Sequence, residues 1–151
     1  MSVLERPDGA RIWWTSDGES ETVVLVMGLA YPSDMWFRVA PVLARQHRVI
    51  TLDNRGAGRT GDVPGAPYTW RPWAEDVLAV LDEAGEPSAH VLGASMSGLV
   101  AQEIALTCPE RVRSLVLACT HPGAAHAVWD PEALASPPTA AASRLNRPPR
   151  P

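Results

Sequence analysis

The sequence predicts an α/β fold in which helices cover both faces of a mostly parallel sheet. Short apolar runs rich in β-branched residues recur up to residue 120. Each run is continuously apolar rather than alternating, which is typical of strands buried on both faces. Segments with helical periodicity separate the runs. This alternation of strand and helix favours a parallel sheet with right-handed crossovers.

The first predicted strand, RIWWT (11–15), is interpreted as an antiparallel strand that precedes the parallel ones. The remaining predicted strands are TVVLVMG (22–28), HRVITLD (47–53), SAHVLGA (88–94) and SLVLACT (114–120). These runs are apolar along most of their length, a pattern typical of strands that are covered on both faces.

Two longer segments predict helices. The helix over 69–84 begins at Thr69, a residue type that caps helices, and the helix over 96–107 is stopped by Pro109. A shorter helical pattern, over residues 36–43, lies between the first two apolar strands.

Composition excludes several classes of partner. The formal net charge is −4, and all 13 strong cations are arginines. Binding to nucleic acid needs clustered positive charge, so we expect no nucleic-acid partner. Cys108 and Cys119 lack a metal-ligand spacing, and we expect no metal and no cofactor. The N-terminus has no apolar signal core and no run is long enough to cross a bilayer, so we expect a cytoplasmic protein with no membrane association.

The octapeptide VLGASMSG (91–98) carries the chemistry of the chain. Ser95 follows a predicted buried strand and precedes a predicted helix, in a near match to G-x-S-x-G with Ser97 in place of the second glycine. Such a turn exposes the serine hydroxyl at the carboxyl end of the sheet, which makes Ser95 a candidate nucleophile. Ser97 fits that role less well because Ser95 and Leu99 would then occupy the glycine positions. The alternative role for Ser95 is to cap the following helix.

A glycine-rich segment elsewhere in the chain is interpreted as a chance match to a dinucleotide-binding motif. GAGRTG (56–61) matches G-x-G-x-x-G, but GDVPGAPYT follows it. A dinucleotide site needs a helix that opens at this loop. We therefore expect no nucleotide cofactor.

Four segments together resemble the N-terminal part of the α/β-hydrolase family. They are LVMG (25–28), DNRGAGRT (53–60), VLGASMSG (91–98) and PERVRSLVLACT (109–120). They resemble, in order, the family's His-Gly loop, its D-x-R-G-x-G-x-S loop, its nucleophile elbow and the strand that follows the elbow. The resemblance covers about residues 10 to 125, and it implies a serine hydrolase.

The resemblance implies an acyl-transfer site in which Ser95 attacks a carbonyl group. The backbone N–H groups of Leu29 and Met96 would form the oxyanion hole. Gly93, Ser97 and Gly98 would support the elbow. Met27 stands where the family often has histidine, a change that leaves the backbone donor in place.

Three aromatic residues are candidates for an apolar acyl pocket. They are Tyr31, Trp36 and Trp129. They are equally plausible as packing residues, and the sequence leaves both roles open.

The partners of Ser95 are harder to place. In this family the acid and the histidine follow the serine in that order. Asp130 and Glu132 come after the last histidine, His126, and neither Glu103 nor Glu110 is suitably placed.

His121 follows a strand at the correct end of the sheet, and we interpret it as a wall histidine. We therefore expect a truncated α/β-hydrolase fold that stops before the catalytic acid and histidine. Residues 1–125 would form the core through the sixth strand, and residues 126–151 the start of a lid or a disordered Pro- and Ala-rich tail. The strand over 114–120 would be an exposed edge through which the chain could self-associate.

The predicted function is hydrolysis of an ester, lactone or related small-molecule acyl substrate. One alternative is a non-catalytic pseudoenzyme or interaction module that keeps the half-fold. Another is an acyltransferase or a cofactor-free perhydrolase on the same fold.

Overall fold

A computed structural model describes residues 1–62, 69–123 and 125 of the 151-residue chain. It contains one six-stranded sheet in the order β1-β2-β4-β3-β5-β6. The strands are β1 (Ser2–Glu5), β2 (Arg11–Asp17), β3 (Thr22–Val26), β4 (Arg48–Leu52), β5 (Ala89–Ala94) and β6 (Val112–Ala118). β1 and β2 are antiparallel to their neighbours, and β4, β3, β5 and β6 are mutually parallel. The predicted mostly parallel sheet is confirmed.

Helices lie on both faces of the sheet, as the sequence predicts. α2 (Trp70–Glu83) and α3 (Ser97–Thr107) pack together on one face, where their apolar side chains join those of β3, β4 and β5 in the larger core. The short helix α1 (Ala40–Leu43) covers the other face, together with a 3-10 turn over Ser33–Trp36. Within the described residues, no helix is both long and apolar enough to cross a bilayer.

The structure differs from the sequence prediction at three elements. β1 is an additional strand, which pairs with β2 from Ser2 to Glu5. The pattern over 36–43 forms only a 3-10 turn and one helical turn, because Pro41 fits the first turn of a helix but cannot sit in its interior. β6 begins at Val112, two residues before the predicted start.

The side chain of Thr69 does not cap α2, although the helix begins directly after it. The structure thus gives the helix the expected position without the expected cap. The predicted boundary at residue 125 and the segment 126–151 lie at or outside the limit of the described residues, and the domain division stays a prediction.

Candidate active site

Ser95 lies at the sharp turn between β5 and α3. Its φ angle is +54°, a left-handed conformation that is unfavourable for a residue with a side chain. Its N–H donates a 2.8 Å hydrogen bond to the Ala118 carbonyl of β6, and its carbonyl accepts one of 3.0 Å from the N–H of Gly98. These bonds hold the strained turn and leave the Ser95 side chain exposed at the carboxyl end of the parallel strands.

Two of the residues predicted to support the elbow, Gly93 and Gly98, have no room for a side chain. A Cβ atom on Gly93 would lie 2.2 Å from the backbone oxygen of Ser97, because the first turn of α3 passes over β5. A Cβ atom on Gly98 would lie 2.3 Å from the Thr120 hydroxyl oxygen. Only glycine fits at either position without displacement of its neighbours. Ser97 is fully buried and its side chain points away from the exposed face.

The loop after β3 approaches Ser95 closely. A Cβ atom on Gly28 would lie 3.1 Å from the Ser95 Cβ and 3.7 Å from its hydroxyl oxygen. The Gly28 carbonyl accepts a 3.4 Å hydrogen bond from the N–H of Tyr31. Neither the Leu29 N–H nor the Met96 N–H donates a hydrogen bond to another described residue.

Two open clefts meet at Ser95 and Cys119. The first has a volume of about 450 Å³ and is lined also by Met27, Gly28, Leu29, Tyr31, Met35 and Ala94. The second has a volume of about 490 Å³ and is lined also by Trp70, Met96, Leu99, His121 and Gly123. No Asp, Glu or Arg side chain lines either cleft among the described residues.

Of the three aromatic candidates for an acyl pocket, only one lines a cleft beside Ser95 in the described part of the chain. Tyr31 lines the first cleft, whereas Trp36 is buried in the smaller core against β3 and β4. Trp36 is therefore a packing residue, and Trp129 lies outside the described residues. Sequence reasoning missed Trp70 and Cys119. Cys119 does follow a strand at the correct end of the sheet, and that position was the available signal.

The loop after β4 buries a carboxylate behind the site. Asp53 is fully buried, and its Oδ1 atom accepts hydrogen bonds of 2.6 Å from both the N–H and the hydroxyl of Ser33. Its Oδ2 atom accepts a 2.8 Å hydrogen bond from the Arg59 N–H. A Cβ atom on Gly58 would lie 2.2 Å from that oxygen. Asp53 thus ties the β4 loop to the β3 loop and does not face the clefts.

An ionic network centred on the buried pair Arg55 and Asp76 lies further from the site. Arg55 donates hydrogen bonds of 2.6 and 2.8 Å to the two carboxylate oxygens of Asp76, and a further one to Asp8. The hydrogen bonds to Asp76 raise the pKa of Arg55 above its usual value, although burial alone would lower it. Arg6 also donates a 3.0 Å hydrogen bond to Asp76. This network joins α2 to the β1–β2 turn and to the β4 loop, and it is structural.

His121 lines the second cleft with Ser95. Its Nδ1 atom accepts a 3.1 Å hydrogen bond from the Gly123 N–H. A neutral imidazole that accepts at Nδ1 carries its proton on Nε2, so Nε2 has no lone pair to receive the serine proton. No hydrogen bond joins Ser95 to a histidine within the described residues.

The other histidines lie away from Ser95 or outside the described residues. His90 lies within β5 and hydrogen-bonds Ser114 of β6, with the His47 ring 6.4 Å from its own. This position towards the amino ends of the parallel strands agrees with the sequence prediction. His126 lies outside the described residues, as do the acidic candidates Asp130 and Glu132.

Comparison with known proteins identifies the family. A family model described as alpha/beta hydrolase fold matches residues 21–147. The putative carbamate hydrolase RutD of Azorhizobium caulinodans is 36% identical over 108 residues, which are 72% of this chain and 40% of that protein. The pimeloyl-[acyl-carrier protein] methyl ester esterase of Aliivibrio salmonicida is 34% identical over 111 residues, 74% of this chain and 40% of that protein.

Solved structures agree with these relatives. A hydrolase from Pseudomonas aeruginosa PA01 has a TM-score of 0.76 and 37% identity, covering 88% of this chain and 49% of that one. Est816, described as an N-acyl homoserine lactone degrading enzyme, has a TM-score of 0.76 and 29% identity, covering 96% of this chain and 52% of that one. The chain spans about two fifths of the length of the curated relatives it matches. The chain belongs to the α/β hydrolase fold family.

Proposed function

We propose that the protein cleaves a neutral ester, lactone or related acyl substrate with Ser95 as the nucleophile. The observation that carries this proposal is the exposed, strained Ser95 at the junction of two clefts, beside the Gly28 backbone. A left-handed conformation costs a residue with a side chain about 1 to 3 kcal/mol, and such strain is typical of functional sites.

The lining of the clefts supports a neutral substrate. The first cleft presents two methionines, a leucine and a tyrosine, and the second presents Trp70 and Leu99. Apolar walls favour an uncharged acyl group because a charged one would lose its hydration without gaining a partner. The names of the relatives support this class, since they refer to a putative carbamate hydrolase, a methyl ester esterase and an N-acyl homoserine lactone degrading enzyme.

The proposed reaction begins with attack of the Ser95 hydroxyl oxygen on the substrate carbonyl carbon. The carbonyl oxygen gains negative charge and accepts hydrogen bonds from the Leu29 and Met96 N–H groups. One such donor is typically worth about 3 to 4 kcal/mol of transition-state stabilisation. This step requires that the serine proton pass to a general base and from there to the leaving group, after which water releases the acyl group as the free acid. Among residues 1–62, 69–123 and 125 we assign no general base.

The test is covalent labelling of the chain with a fluorophosphonate, followed by intact mass spectrometry and peptide mapping. We expect one adduct on Ser95 and none in Ser95→Ala. Ser114→Ala, which removes a serine hydroxyl from β6, is the matched control and should label like the wild type. Absence of an adduct in the wild type would favour the non-catalytic module over the enzyme.

Product analysis separates hydrolysis from acyl transfer. The labelled serine is common to a hydrolase, an acyltransferase and a cofactor-free perhydrolase. We expect the free acid to be the main product from a p-nitrophenyl ester in water, even when an alcohol or peroxide is added. A new ester or a peracid as the main product would assign the acceptor-specific alternative instead.

We also propose that the protein resides in the cytoplasm. Cys108 and Cys119 are both free thiols, and Cys119 is exposed. Free exposed thiols persist in a reducing compartment.

A further inference from the structure

A buried polar cluster joins three loops behind Ser95. Ser97 is fully buried, and its hydroxyl donates a 2.5 Å hydrogen bond to the Met27 carbonyl. The side-chain amide of Asn54 donates a 2.6 Å hydrogen bond to the same carbonyl and one of 3.0 Å to the Ser97 oxygen. Both lone pairs of the Met27 carbonyl are therefore engaged. The cluster connects the loops after β3, β4 and β5.

The bonds to Met27 fix the backbone that leads to the oxyanion hole. A peptide group is planar and trans, so a fixed Met27 carbonyl also fixes the direction of the Gly28 N–H. The Tyr31 N–H holds the next carbonyl, that of Gly28, and thereby sets the direction of the Leu29 N–H. Gly28 between these two planes has little conformational preference of its own. External hydrogen bonds must therefore supply the rigidity.

We infer that Ser97 and Asn54 are positioning residues that fix the Met27–Gly28 peptide and so anchor the start of the loop that carries the Leu29 N–H. This inference rests on the proposed function of Ser95. Neither side chain lines a cleft, so both act through the Met27 carbonyl rather than on a substrate. Met27 and Ser97 are also two of the three positions, with Thr60, at which the motifs depart from the pattern that they resemble. The Ser97 hydroxyl bonds the Met27 carbonyl directly. Ser97 therefore anchors the loop that begins at Met27.

The test compares Ser97→Ala and Asn54→Asp with the control Ser114→Ala. Alanine removes one of the two donors, and the isosteric carboxylate of aspartate cannot donate to the Met27 carbonyl. Ser114 has a hydroxyl that bonds His90 at 2.7 Å, in a strand that does not contact Met27 through its side chain. The control therefore loses the side-chain hydrogen bond of an exposed serine elsewhere in the sheet.

The first readout is hydrogen–deuterium exchange by mass spectrometry, which does not require activity. The peptide over 27–37 contains the hydrogen-bonded amides of Tyr31, Ser33 and Met35. We expect it to exchange several-fold faster in both variants, with β2 and α2 peptides unchanged. A general loss of stability would accelerate all three regions together and would overturn the inference. Unchanged exchange over 27–37 in both variants would also overturn it.

The second readout is the rate of Ser95 labelling by the fluorophosphonate. Complete loss of an oxyanion donor costs roughly 100-fold or more in rate, so we expect about a tenfold decrease when the donor is merely loosened. A labelling rate equal to that of Ser114→Ala would contradict the positioning role. The two readouts can also disagree. If the wild type does not label but the 27–37 peptide exchanges faster in both variants, the proposed nucleophilic role of Ser95 is wrong, whereas the anchoring of the loop by Ser97 and Asn54 is supported.

Discussion

The backbone conformation at Ser95 favours glycine, whereas nucleophilic chemistry requires a side chain with a hydroxyl group. Glycine would adopt the φ angle of +54° without strain, but only a side chain can supply a nucleophile. The residue is serine, and hydrogen bonds to Ala118 and Gly98 hold it in place. Strain that is kept at an exposed position beside two clefts is better explained by function than by packing.

This strain can be measured with two variants that both lack the hydroxyl. We expect Ser95→Gly to be more stable than Ser95→Ala by about 1 kcal/mol, because alanine retains the unfavourable left-handed conformation. Urea unfolding at pH 7 would give both free energies of unfolding. A variant pair of equal stability, or a more stable alanine variant, would show that the turn relaxes when the hydroxyl is removed.

His121 provides a second prediction for a single residue. Because its Nδ1 accepts the Gly123 N–H, its proton lies on the nitrogen that a general base would need free. We expect His121→Ala to change the rate of Ser95 labelling by less than tenfold. Loss of a general base typically costs 100-fold or more. A loss of that size would assign His121 the catalytic role that we withhold from it.

Among the elements, the loops after β3 and β4 depend on one carboxylate. Asp53 accepts three short hydrogen bonds from N–H and O–H donors of Ser33 and Arg59 while fully buried. We expect Asp53→Asn to lower the free energy of unfolding by about 3 kcal/mol, because the new amide would place a donor against a donor.

The matched control for this change is Asp34→Asn. Asp34 pairs with the same Arg59, but both side chains are nearly half exposed. Exposed ion pairs are worth less than about 1 kcal/mol. Similar losses for the two variants in urea unfolding would contradict the special position of Asp53.

The elements also show what the sequence can predict. The buried strands β3, β4 and β5 are predictable because burial on both faces imposes a continuous apolar run. β1 is not, because its residues are mostly exposed and its pairing depends on hydrogen bonds to β2. Ser95, Gly93 and Gly98 are predictable because local spacing defines the elbow. The bonds among Met27, Asn54 and Ser97 are not, because they depend on how three separate loops approach one another.

For the whole molecule, the ionic network predicts sensitivity to acid. A hydrogen bond from Arg55 holds the pKa of the Asp8 carboxyl below its usual value. Since the folded-state pKa is lower than the unfolded one, Asp8 stabilises the fold above about pH 4, and this contribution is lost as the pH falls through the folded-state pKa. We expect Asp8→Asn to lower the melting temperature at pH 7 and to have a smaller effect below pH 4.

The control for the acid experiment is Glu19→Gln, an exposed position in the turn after β2. Its effect on the melting temperature should not depend on pH in this way. A constant difference between wild type and Asp8→Asn from pH 7 to pH 3 would contradict the linkage.

The edge of the sheet leads us to propose self-association through β6. Within the described residues β6 has a neighbour on one side only, and Leu115, Val116 and Leu117 are 37, 48 and 43% exposed. Unpaired strand edges with apolar side chains favour pairing with another chain. In sedimentation velocity we expect the wild type to associate as its concentration rises and Val116→Lys to associate less.

The control for β6 is Leu106→Lys, at a residue of α3 that is 81% exposed. It adds the same charge away from the sheet edge. Equal association of both variants would locate the contact elsewhere on the molecule.

The two clefts that meet at Ser95 have a consequence for the order of product release. We propose that the acyl chain lies between Met27, Tyr31 and Met35, so that the leaving group departs past Trp70 and Leu99 while the acyl group stays bound to the serine. The incoming molecule must then enter through this second cleft. Its walls, rather than those of the acyl cleft, would decide whether water or another acceptor completes the turnover. Substitution of Trp70 is therefore expected to change the partition between acceptors more than the preference for acyl length.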